Sequence, residues 1–347
     1  MNRCLSFLCA GLFLLVTGCG APTVGDVGAV RQFFAMDTSM QITVYGPNEE
    51  EAASAVVGEI NRLEQLLSRT RENSQVSLLN SHAGDGTPVE LSGELCDLLA
   101  LSKEYTAQTQ GTFDITVAPL MDAWGFTSDS YRVPSQAELD ALLPLADSQN
   151  LLVDPQADTA QLLQEGMAID LGGIAKGYAA GQCVDLLRSY GVESALLQLG
   201  GNITAMGTRY DGKPWQVAVR DPQRGDAYVC VLPLQDVTAS TSGGYERYFE
   251  ADGVIYHHIL DPDTGYPARS GLLSVTVISQ DAPRNDALST ALFVMGEQAA
   301  LDFWRTDGGF EAVLVCDDGR VLVTEGLEDG LDFRGEENGY TYEIVRR

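Results

Sequence analysis

The sequence has little positive charge. It contains 21 Lys and Arg against 49 Asp and Glu, which gives a formal net charge of −28 at pH 7. This excess of negative charge repels the phosphates of nucleic acids and of anionic lipid surfaces, so neither is expected as a partner. Any phosphate that the protein binds must be held locally, by a metal ion and by backbone N–H groups.

Several familiar catalytic motifs are also missing. The chain has no GxSxG, no HExxH and no GxGxxG after a strand, which disfavours serine hydrolases, zincins and Rossmann dehydrogenases. There are only three histidines. The cysteines beyond residue 19 have neither CxxC nor histidine spacing for zinc, and whether any of them forms a disulfide stays open. These cysteines are Cys96, Cys183, Cys230 and Cys316.

Only the beginning of the sequence carries a long apolar run. Arg3 precedes an apolar stretch over residues 5–16, and Thr17-Gly18-Cys19 follows it, as in a secretory signal that ends in a lipobox. The run is shorter than the roughly 20 residues that span a bilayer. We therefore predict a signal peptide at 1–18, a lipidated Cys19 with a tether at 19–30, and a single catalytic domain at 31–347. The protein should lie outside the cytoplasm and meet the membrane through its lipid anchor only.

The hydrophobic pattern mixes strands and helices without strict alternation, which predicts a mixed α/β (α+β) fold rather than a doubly wound sheet. Residues 40–44 alternate as on a half-buried strand, and a helix follows Asn48. Further strands are predicted at 195–199, 215–219, 254–260 and 273–278, helices at 174–190 and 287–295, and a hairpin over 312–323. The helix at 174–190 should stop at Gly191, a residue that accepts a left-handed conformation.

Two segments carry residues suited to phosphate and metal chemistry. Residues 170–177 place two glycines and Lys176 at the entrance of a helix, where free N–H groups can hold a phosphate or a carbonyl can face a metal. Asp286 and Thr290 are four residues apart, which on a helix brings both oxygens to one face, as a hard cation requires. Ordinary alternatives exist: Lys176 as a solvated lysine, Asp286 as a helix cap and Thr290 as a surface residue.

A third segment, 256–265, contains His257 and His258 before a turn built by Pro262 and Gly265. Adjacent residues of a strand point to opposite faces, so one histidine can line a cleft while the other faces away. A histidine in a cleft is suited to moving a proton near neutral pH. The remaining histidine, His82, is predicted to be a loop residue.

Taken in order, seven pieces of the sequence resemble the ApbE-like FAD:protein FMN transferase family. The resemblance spans roughly residues 33–330 and implies FAD lying in a cleft between two lobes of the mixed α/β fold. It implies Mg²⁺-dependent transfer of FMN from FAD to a threonine of an acceptor protein, with release of AMP. The matching pieces are 36–38, 111–119 with 124–126, 170–177, 199–202, 242–247, 258–265 and 286–290.

The resemblance also implies roles for individual residues. Mg²⁺ would be held by Asp286, by Thr290 and by main-chain oxygens near Ser289 and Gly173, and His258 would act beside Asp286 at the reacting groups. The acceptor would be an extracytoplasmic subunit of an electron-transfer complex, bearing a Ser/Thr-Gly-Ala-Thr/Ser motif. The residues that would contact FAD are Met36, Thr70, Thr112, Phe113, Asp114, Asp170, Lys176, Ser242, Gly243, His258 and Ile259.

Two residues depart from the family pattern. Asp37 stands where the family usually has glycine, which adds a charge near the flavin. Thr70 stands where transferases often carry a tyrosine that stacks on the flavin, and a smaller residue there resembles relatives that hydrolyse FAD to FMN and AMP with two metals. An FAD pyrophosphatase is therefore one alternative. A flavin-binding lipoprotein without catalysis is another, although binding alone would not require metal ligands beside the pyrophosphate.

Overall fold

A large, almost entirely antiparallel sheet forms the centre of the protein. The computed structural model describes residues 28–128 and 130–347. Its strands are β1 Ala29–Ala35, β2 Thr38–Tyr45, β3 Val89–Glu90, β4 Leu151–Asp154, β5 Thr159–Leu162, β6 Ser194–Leu199, β7 Asn202–Met206, β8 Trp215–Arg220, β9 Tyr228–Leu234, β10 Val237–Gly243, β11 Tyr248–Ala251, β12 Val254–His257, β13 Leu272–Ser279, β14 Glu311–Cys316, β15 Arg320–Thr324, β16 Asp332–Phe333 and β17 Thr341–Val345. Its α-helices are α1 Glu49–Leu67, α2 Gln75–Ser81, α3 Gly93–Gln108, α4 Ala118–Trp124, α5 Gln136–Leu142, α6 Ala175–Ser189, α7 Ala282–Met295 and α8 Glu297–Asp307.

The central sheet has nine strands in the order β1-β2-β6-β7-β10-β13-β14-β15-β17. Only β15 and β17 pair in parallel; the other neighbours are antiparallel. Two three-stranded sheets, β3-β5-β4 and β16-β9-β8, and the β11–β12 hairpin complete the strands. The predicted mixed α/β class is confirmed, and there is no doubly wound sheet in the part of the chain that the structure describes. None of the helices there is long and apolar enough to cross a membrane.

Both faces of the central sheet are covered. Alternate residues of β14 enter different apolar clusters: Leu314 packs with α7 and α8, whereas Val313 packs with β8 and β9. At the other end of the sheet, Ile42 of β2 packs in one cluster with Ile60 of α1. Residues of α6 and α7 belong to the same cluster as Ile42, and the two helices pack side by side. Residues predicted to hold a metal lie on α7 and just before α6.

Most predicted elements are confirmed, with shifted ends. The helix predicted at 174–190 is α6, and Gly191 follows it with a φ of +76°. The predicted hairpin is β14–β15. The helix predicted to begin at 287 begins at Ala282, because Asp281 accepts a hydrogen bond from the Arg284 N–H and caps it. The strand predicted to reach residue 260 ends at His257.

The start of the fold corrects the predicted tether. Ala29 and Val30 belong to β1 and pair with β2, so the tether cannot extend to residue 30. The signal peptide at 1–18 and the lipidated Cys19 lie outside the described residues. The four cysteines beyond Cys19 are all buried and free, so they form no disulfide.

Candidate functional site

A cleft of about 470 Å³ gathers nearly all of the residues predicted to bind FAD or a metal. A volume of this order is typical of small-molecule sites. Ser289 is the exception: it is fully buried and lies behind Ser242. The predicted residues that line the cleft are Met36, Thr70, Thr112, Phe113, Asp114, Asp170, Gly173, Lys176, Ser242, Gly243, His258, Ile259, Asp286 and Thr290.

Asp286 joins helices α6 and α7 at this cleft. Its Oδ2 accepts a hydrogen bond of 2.8 Å from the Gly177 N–H. Because Asp281 is the cap of α7, the alternative that Asp286 is a helix cap is wrong. Lys176 Nζ donates to the Gly172 carbonyl at 2.8 Å and lies 4.0 Å from Asp286 Oδ1. Lys176 is therefore held beside the carboxylate and is not simply a solvated lysine.

Three hydroxyl groups lie next to Asp286. Ser242 Oγ is 2.8 Å from Ser289 Oγ and 3.1 Å from Thr290 Oγ1. Ser289 also donates to the Asp286 carbonyl at 2.9 Å. A Cβ built on Gly173 would lie 3.8 Å from Thr290 Oγ1, so the segment before α6 closely approaches the same hydroxyls. The hydroxyls of Ser242, Ser289 and Thr290 thus form one cluster on α7 and β10, and the Asp286 carbonyl and the Gly173 segment lie against it.

This arrangement suits a hard cation. Residues 28–128 and 130–347 hold no group of three or more His, Cys, Asp or Glu side chains that could bind a metal. A metal at Asp286 would therefore rely on one carboxylate and on neutral oxygens. Mg²⁺ accepts such a set, because it prefers oxygen donors and is commonly bound through one or two carboxylates together with substrate phosphates.

The two neighbouring histidines point in opposite directions, as predicted. His258 lines the cleft, and both its Nδ1–H and its main-chain N–H donate to the Arg247 carbonyl, at 3.1 and 3.0 Å. His257 turns away, donates from Nε2 to the Ala268 carbonyl at 3.0 Å and packs edge-on against Phe293. Since Nδ1 of His258 carries the proton, its Nε2 is left as a hydrogen-bond acceptor.

Burial in the first place, and the nearby positive charge of Arg247 in the second, lower the pKa of His258 to about 3. The ring is therefore neutral at pH 7. A neutral ring whose only N–H is donated to the main chain can accept a hydrogen bond from a ligand but has no second N–H to donate.

The low pKa of His258 predicts a dependence of stability on pH. Because this folded-state pKa lies below that of an unfolded histidine, about 6.5, the unfolded chain binds the proton first as the pH falls. The stability that neutral His258 contributes to the folded chain is therefore complete above pH 6.5 and is lost progressively down to about pH 3. We expect the unfolding free energy of the unaltered chain, measured in urea titrations between pH 6.5 and 4.5, to fall more steeply than that of His258→Asn. The difference should reach up to about 1.4 kcal/mol per pH unit. Parallel pH curves for the two proteins would contradict the lowered pKa of His258.

The carboxylate of Asp114 is already used within the protein. It accepts hydrogen bonds from the Thr116 N–H at 2.8 Å, the Thr116 hydroxyl at 2.6 Å and the Ser148 N–H at 3.1 Å. Asp114 lines the cleft, as the resemblance implied, but its charge fixes the loop that carries Thr112 and Phe113. Asp114 therefore affects a bound ligand by shaping the cleft.

Asp37, the first departure from the family pattern, lies in the turn between β1 and β2. Met36 and Asp37 have φ values of +47° and +62°, the left-handed pair of a tight hairpin turn. Glycine is favoured at such positions, but aspartate also tolerates them. Asp37 Oδ2 accepts a hydrogen bond of 3.3 Å from Arg247 Nη2, so the added charge is paired with a cation that also lines the cleft.

Arg69 is a cleft residue that sequence reasoning missed. Its Nη2 donates to Asp122 Oδ2 at 2.6 Å, and its Nη1 lies 3.6 Å from Asp170 Oδ2. Asp170 Oδ1 accepts from the Gly172 N–H at 2.7 Å. Arg69 belongs to no recognisable sequence motif. Only its position directly before Thr70, a predicted flavin contact, could have indicated that it lies at the cleft. Thr70 itself lines the cleft, with Oγ1 3.1 Å from Ser68 Oγ.

Comparison with known proteins gives consistent matches. The sequence model described as the ApbE family matches residues 36–314. An FAD:protein FMN transferase of Treponema pallidum is 33% identical over 333 residues, covering 90% of this chain and 92% of that protein. An FAD:protein FMN transferase of Klebsiella pneumoniae is 35% identical over 294 residues, covering 84% of this chain and 90% of that protein.

Solved structures agree with the sequence matches. The ApbE protein from Thermotoga maritima superposes with a TM-score of 0.80 at 38% identity, covering 86% of this chain and 97% of that one. The apo form of the Pseudomonas stutzeri flavinyl transferase ApbE superposes with a TM-score of 0.74 at 32% identity, covering 84% and 92%.

Proposed function

The chain belongs to the ApbE family and is an FAD:protein FMN transferase, and we propose that it uses Mg²⁺ to pass FMN to a threonine hydroxyl with release of AMP. One observation supports the proposal most: Asp286, Thr290 and His258 line the same cleft as the residues implied to contact FAD. The negative charge of the protein also explains why a metal ion would be needed. A pyrophosphate would be repelled by a chain with a net charge of −28 unless its oxygens were neutralised locally.

The metal would be held by Asp286 and Thr290, with main-chain oxygens near Ser289 and Gly173. Asp286 Oδ2 is fixed by the Gly177 N–H, which sets the direction of Oδ1, and the Ser242 hydroxyl bonds Thr290 from the other side. When bound, Mg²⁺ would neutralise phosphate oxygens and make AMP a better leaving group. Lys176, 4.0 Å from Asp286 Oδ1, adds a positive charge beside this point.

His258 is proposed to orient the acceptor. Its Nε2 accepts a hydrogen bond from the threonine hydroxyl and directs that oxygen to the FMN phosphorus. The threonine oxygen forms the new P–O bond, the P–O bond to AMP breaks, and AMP leaves. The hydroxyl proton passes to His258 or to a neighbouring carboxylate such as Glu246, which also lines the cleft. With Nδ1–H donated to Arg247, His258 is better placed for this role than as a donor to the flavin.

A second candidate, an FAD pyrophosphatase, is favoured by Thr70. A threonine cannot stack on the flavin as the tyrosine of many transferases does, and water could then replace the acceptor hydroxyl. The two candidates share the metal site and the release of AMP. They differ in the group that receives FMN and, as the resemblance implies, in the number of metals.

One assay separates these candidates. The chain lacking residues 1–19 is incubated with FAD and Mg²⁺, with or without an acceptor domain bearing a Ser/Thr-Gly-Ala-Thr/Ser motif, and AMP, free FMN and protein-bound flavin are followed. We expect AMP and covalent flavin to appear together and only with the acceptor. The matched control is the same acceptor with its threonine replaced by alanine. AMP with equal free FMN and no need for acceptor would instead establish the pyrophosphatase.

We also propose that the protein works outside the cytoplasm, tethered through lipid on Cys19 after removal of residues 1–18. The support is the lipobox-like sequence and the folded domain that begins soon after it, at Ala29. Labelled palmitate should enter the full chain and not its Cys19→Ser variant, which should be recovered in the aqueous fraction. Equal labelling of both proteins would exclude Cys19 as the attachment point.

A further inference from the structure

Strand β1 is an edge of the central sheet. It is the first strand in the order of that sheet and, among the described residues, pairs only with β2, in an unbroken register over all seven of its residues. Ala35 and Thr38 flank the two-residue turn and face each other. The residues next to such a turn exchange both hydrogen bonds, and from there bonded pairs alternate with pairs that are not bonded. Gln32 and Phe34 belong to pairs that are not bonded, so their main-chain N–H and C=O groups point away from β2.

These outward groups are free within the two described stretches of the chain. No hydrogen bond from outside the β1–β2 hairpin reaches the main chain of Gln32 or Phe34 there. Arg31, the only charged residue of β1, is held by Glu50 of α1. Proteins usually block an edge with exposed charge, a proline or a bulge, because free N–H and C=O groups pair readily with another strand. The outer edge of β1 has none of these devices, so it can accept a further strand.

The two edges of the central sheet differ in their side chains. The opposite edge, β17, carries the exposed Glu343 and is followed by Arg346 and Arg347, which is charge of the kind that discourages pairing. On β1, the side chains of Val30 and Phe34 are instead 42% and 68% exposed. When a strand is added to a sheet, main-chain hydrogen bonds supply affinity and alternate side chains supply specificity. β1 offers both, whereas β17 is guarded.

The direction of β1 leads to the cleft. The strand ends at the turn of Met36 and Asp37, and both residues line the cleft. Asp37 accepts a hydrogen bond from Arg247, and the Arg247 carbonyl accepts the Nδ1–H of His258. An extended chain advances about 3.3 Å per residue. A strand that pairs with β1 and continues past the turn therefore needs only a few more residues to come to the surroundings of His258.

We propose that β1 is the docking strand for the acceptor protein. An extended segment of the acceptor pairs with the main chain of Gln32 and Phe34, and the residues beyond that segment carry the threonine into the cleft. The proposal rests on the proposed function, because it takes a protein threonine as the group that receives FMN. A Ser/Thr-Gly-Ala-Thr/Ser motif has only small side chains to recognise. Pairing through the main chain supplies affinity that such side chains cannot provide.

Gln32→Pro tests the pairing. Proline removes the outward N–H and places ring carbons on the edge, but it breaks no hydrogen bond to β2. Flavin transfer is measured with the acceptor domain varied at saturating FAD and Mg²⁺, and then with FAD varied. We expect KM for the acceptor domain to rise about tenfold, while kcat and KM for FAD stay within about twofold. Gln32→Ala, which removes the same side chain but keeps the N–H, is the matched control and should keep KM for the domain within about twofold.

The outcomes separate the docking strand from the proposed function. An unchanged KM for the acceptor domain in folded Gln32→Pro, or the same rise in Gln32→Ala, would overturn the proposal while the proposed function stands. A fall in kcat alone would also overturn it, because β1 would then only support the residues of the cleft. Absence of flavin transfer by the unaltered chain would instead remove the proposed function.

Hydrogen exchange tests the same contact without a substitution. The full chain in detergent, with FAD and Mg²⁺, is followed by mass spectrometry alone and with an acceptor domain whose threonine is replaced by alanine. Peptides covering residues 30–35 should exchange severalfold more slowly with the acceptor, whereas peptides covering 341–345, the opposite edge, should not change. Unchanged exchange at 30–35 would overturn the proposal. Protection of 30–35 that grows with the concentration of the chain alone would assign β1 to a second copy and would overturn it as well.

Discussion

Asp286→Asn is expected to lower Mg²⁺-dependent AMP release from FAD by about a thousandfold or more, because the several kcal/mol of charge stabilisation supplied by the metal are lost. The amide oxygen of asparagine can still accept the Gly177 N–H that Asp286 accepts at 2.8 Å, so the link between α6 and α7 is kept. What disappears is the buried negative charge of Asp286, on the helix that also carries Ser289 and Thr290. The other candidate oxygens there are neutral, so no nearby ligand replaces its charge.

Asp281→Asn on the same helix is the control. Asp281 accepts the Arg284 N–H at 3.1 Å and caps α7, a role that asparagine fills about as well. This variant should therefore keep both its melting temperature and its activity. The assay measures AMP against Mg²⁺ concentration for the three proteins. Near-normal, Mg²⁺-dependent AMP release by Asp286→Asn would remove Asp286 from the metal site and would leave the hydroxyl cluster without a function.

Features encoded by neighbouring residues could be predicted from the sequence. Asp286 and Thr290 share a helix face because they are four residues apart, and both do line the cleft. The end of α6 at Gly191 and the β14–β15 hairpin were predictable for the same reason, because each depends on residues close together in the sequence. The opposite directions of His257 and His258 follow from the period of a strand, although β12 ends between them.

Contacts between distant segments could not be predicted in this way. Arg69 meets Asp122, which is 53 residues away, and Asp37 meets Arg247 across 210 residues. Nothing in the local pattern of either partner indicates the other, because the two partners of each pair lie far apart in the sequence and meet only in the folded chain. For the same reason, resemblance could place Asp114 at the cleft but could not show that its carboxylate is already bound by Thr116 and Ser148.

Gly177→Ala is expected to cost about 1–3 kcal/mol of unfolding free energy or more, together with most of the activity. A Cβ at this position would lie 2.3 Å from the Ala282 carbonyl oxygen and 2.7 Å from Asp286 Cβ. Both neighbours belong to α7, so the two helices must move apart. The same movement draws the Gly177 N–H away from Asp286 Oδ2. A shift of about 1 Å at a catalytic group can cost roughly a hundredfold in rate.

Gly181→Ala, one helical turn further along α6, separates packing from helix propensity. A Cβ there would lie 3.9 Å from Pro283 Cδ, an ordinary van der Waals contact. This variant should gain about 0.5–1 kcal/mol, since alanine favours the helix interior over glycine. Two identical substitutions four residues apart should thus have opposite effects. In urea titrations and in the AMP assay, Gly177→Ala should fall below the unaltered chain, whereas Gly181→Ala should be more stable and remain active. If both variants were stabilised and active, the close approach of α6 and α7 would not be what positions Asp286. If both were destabilised, the cause would lie in the helix and not in its contact with Ala282.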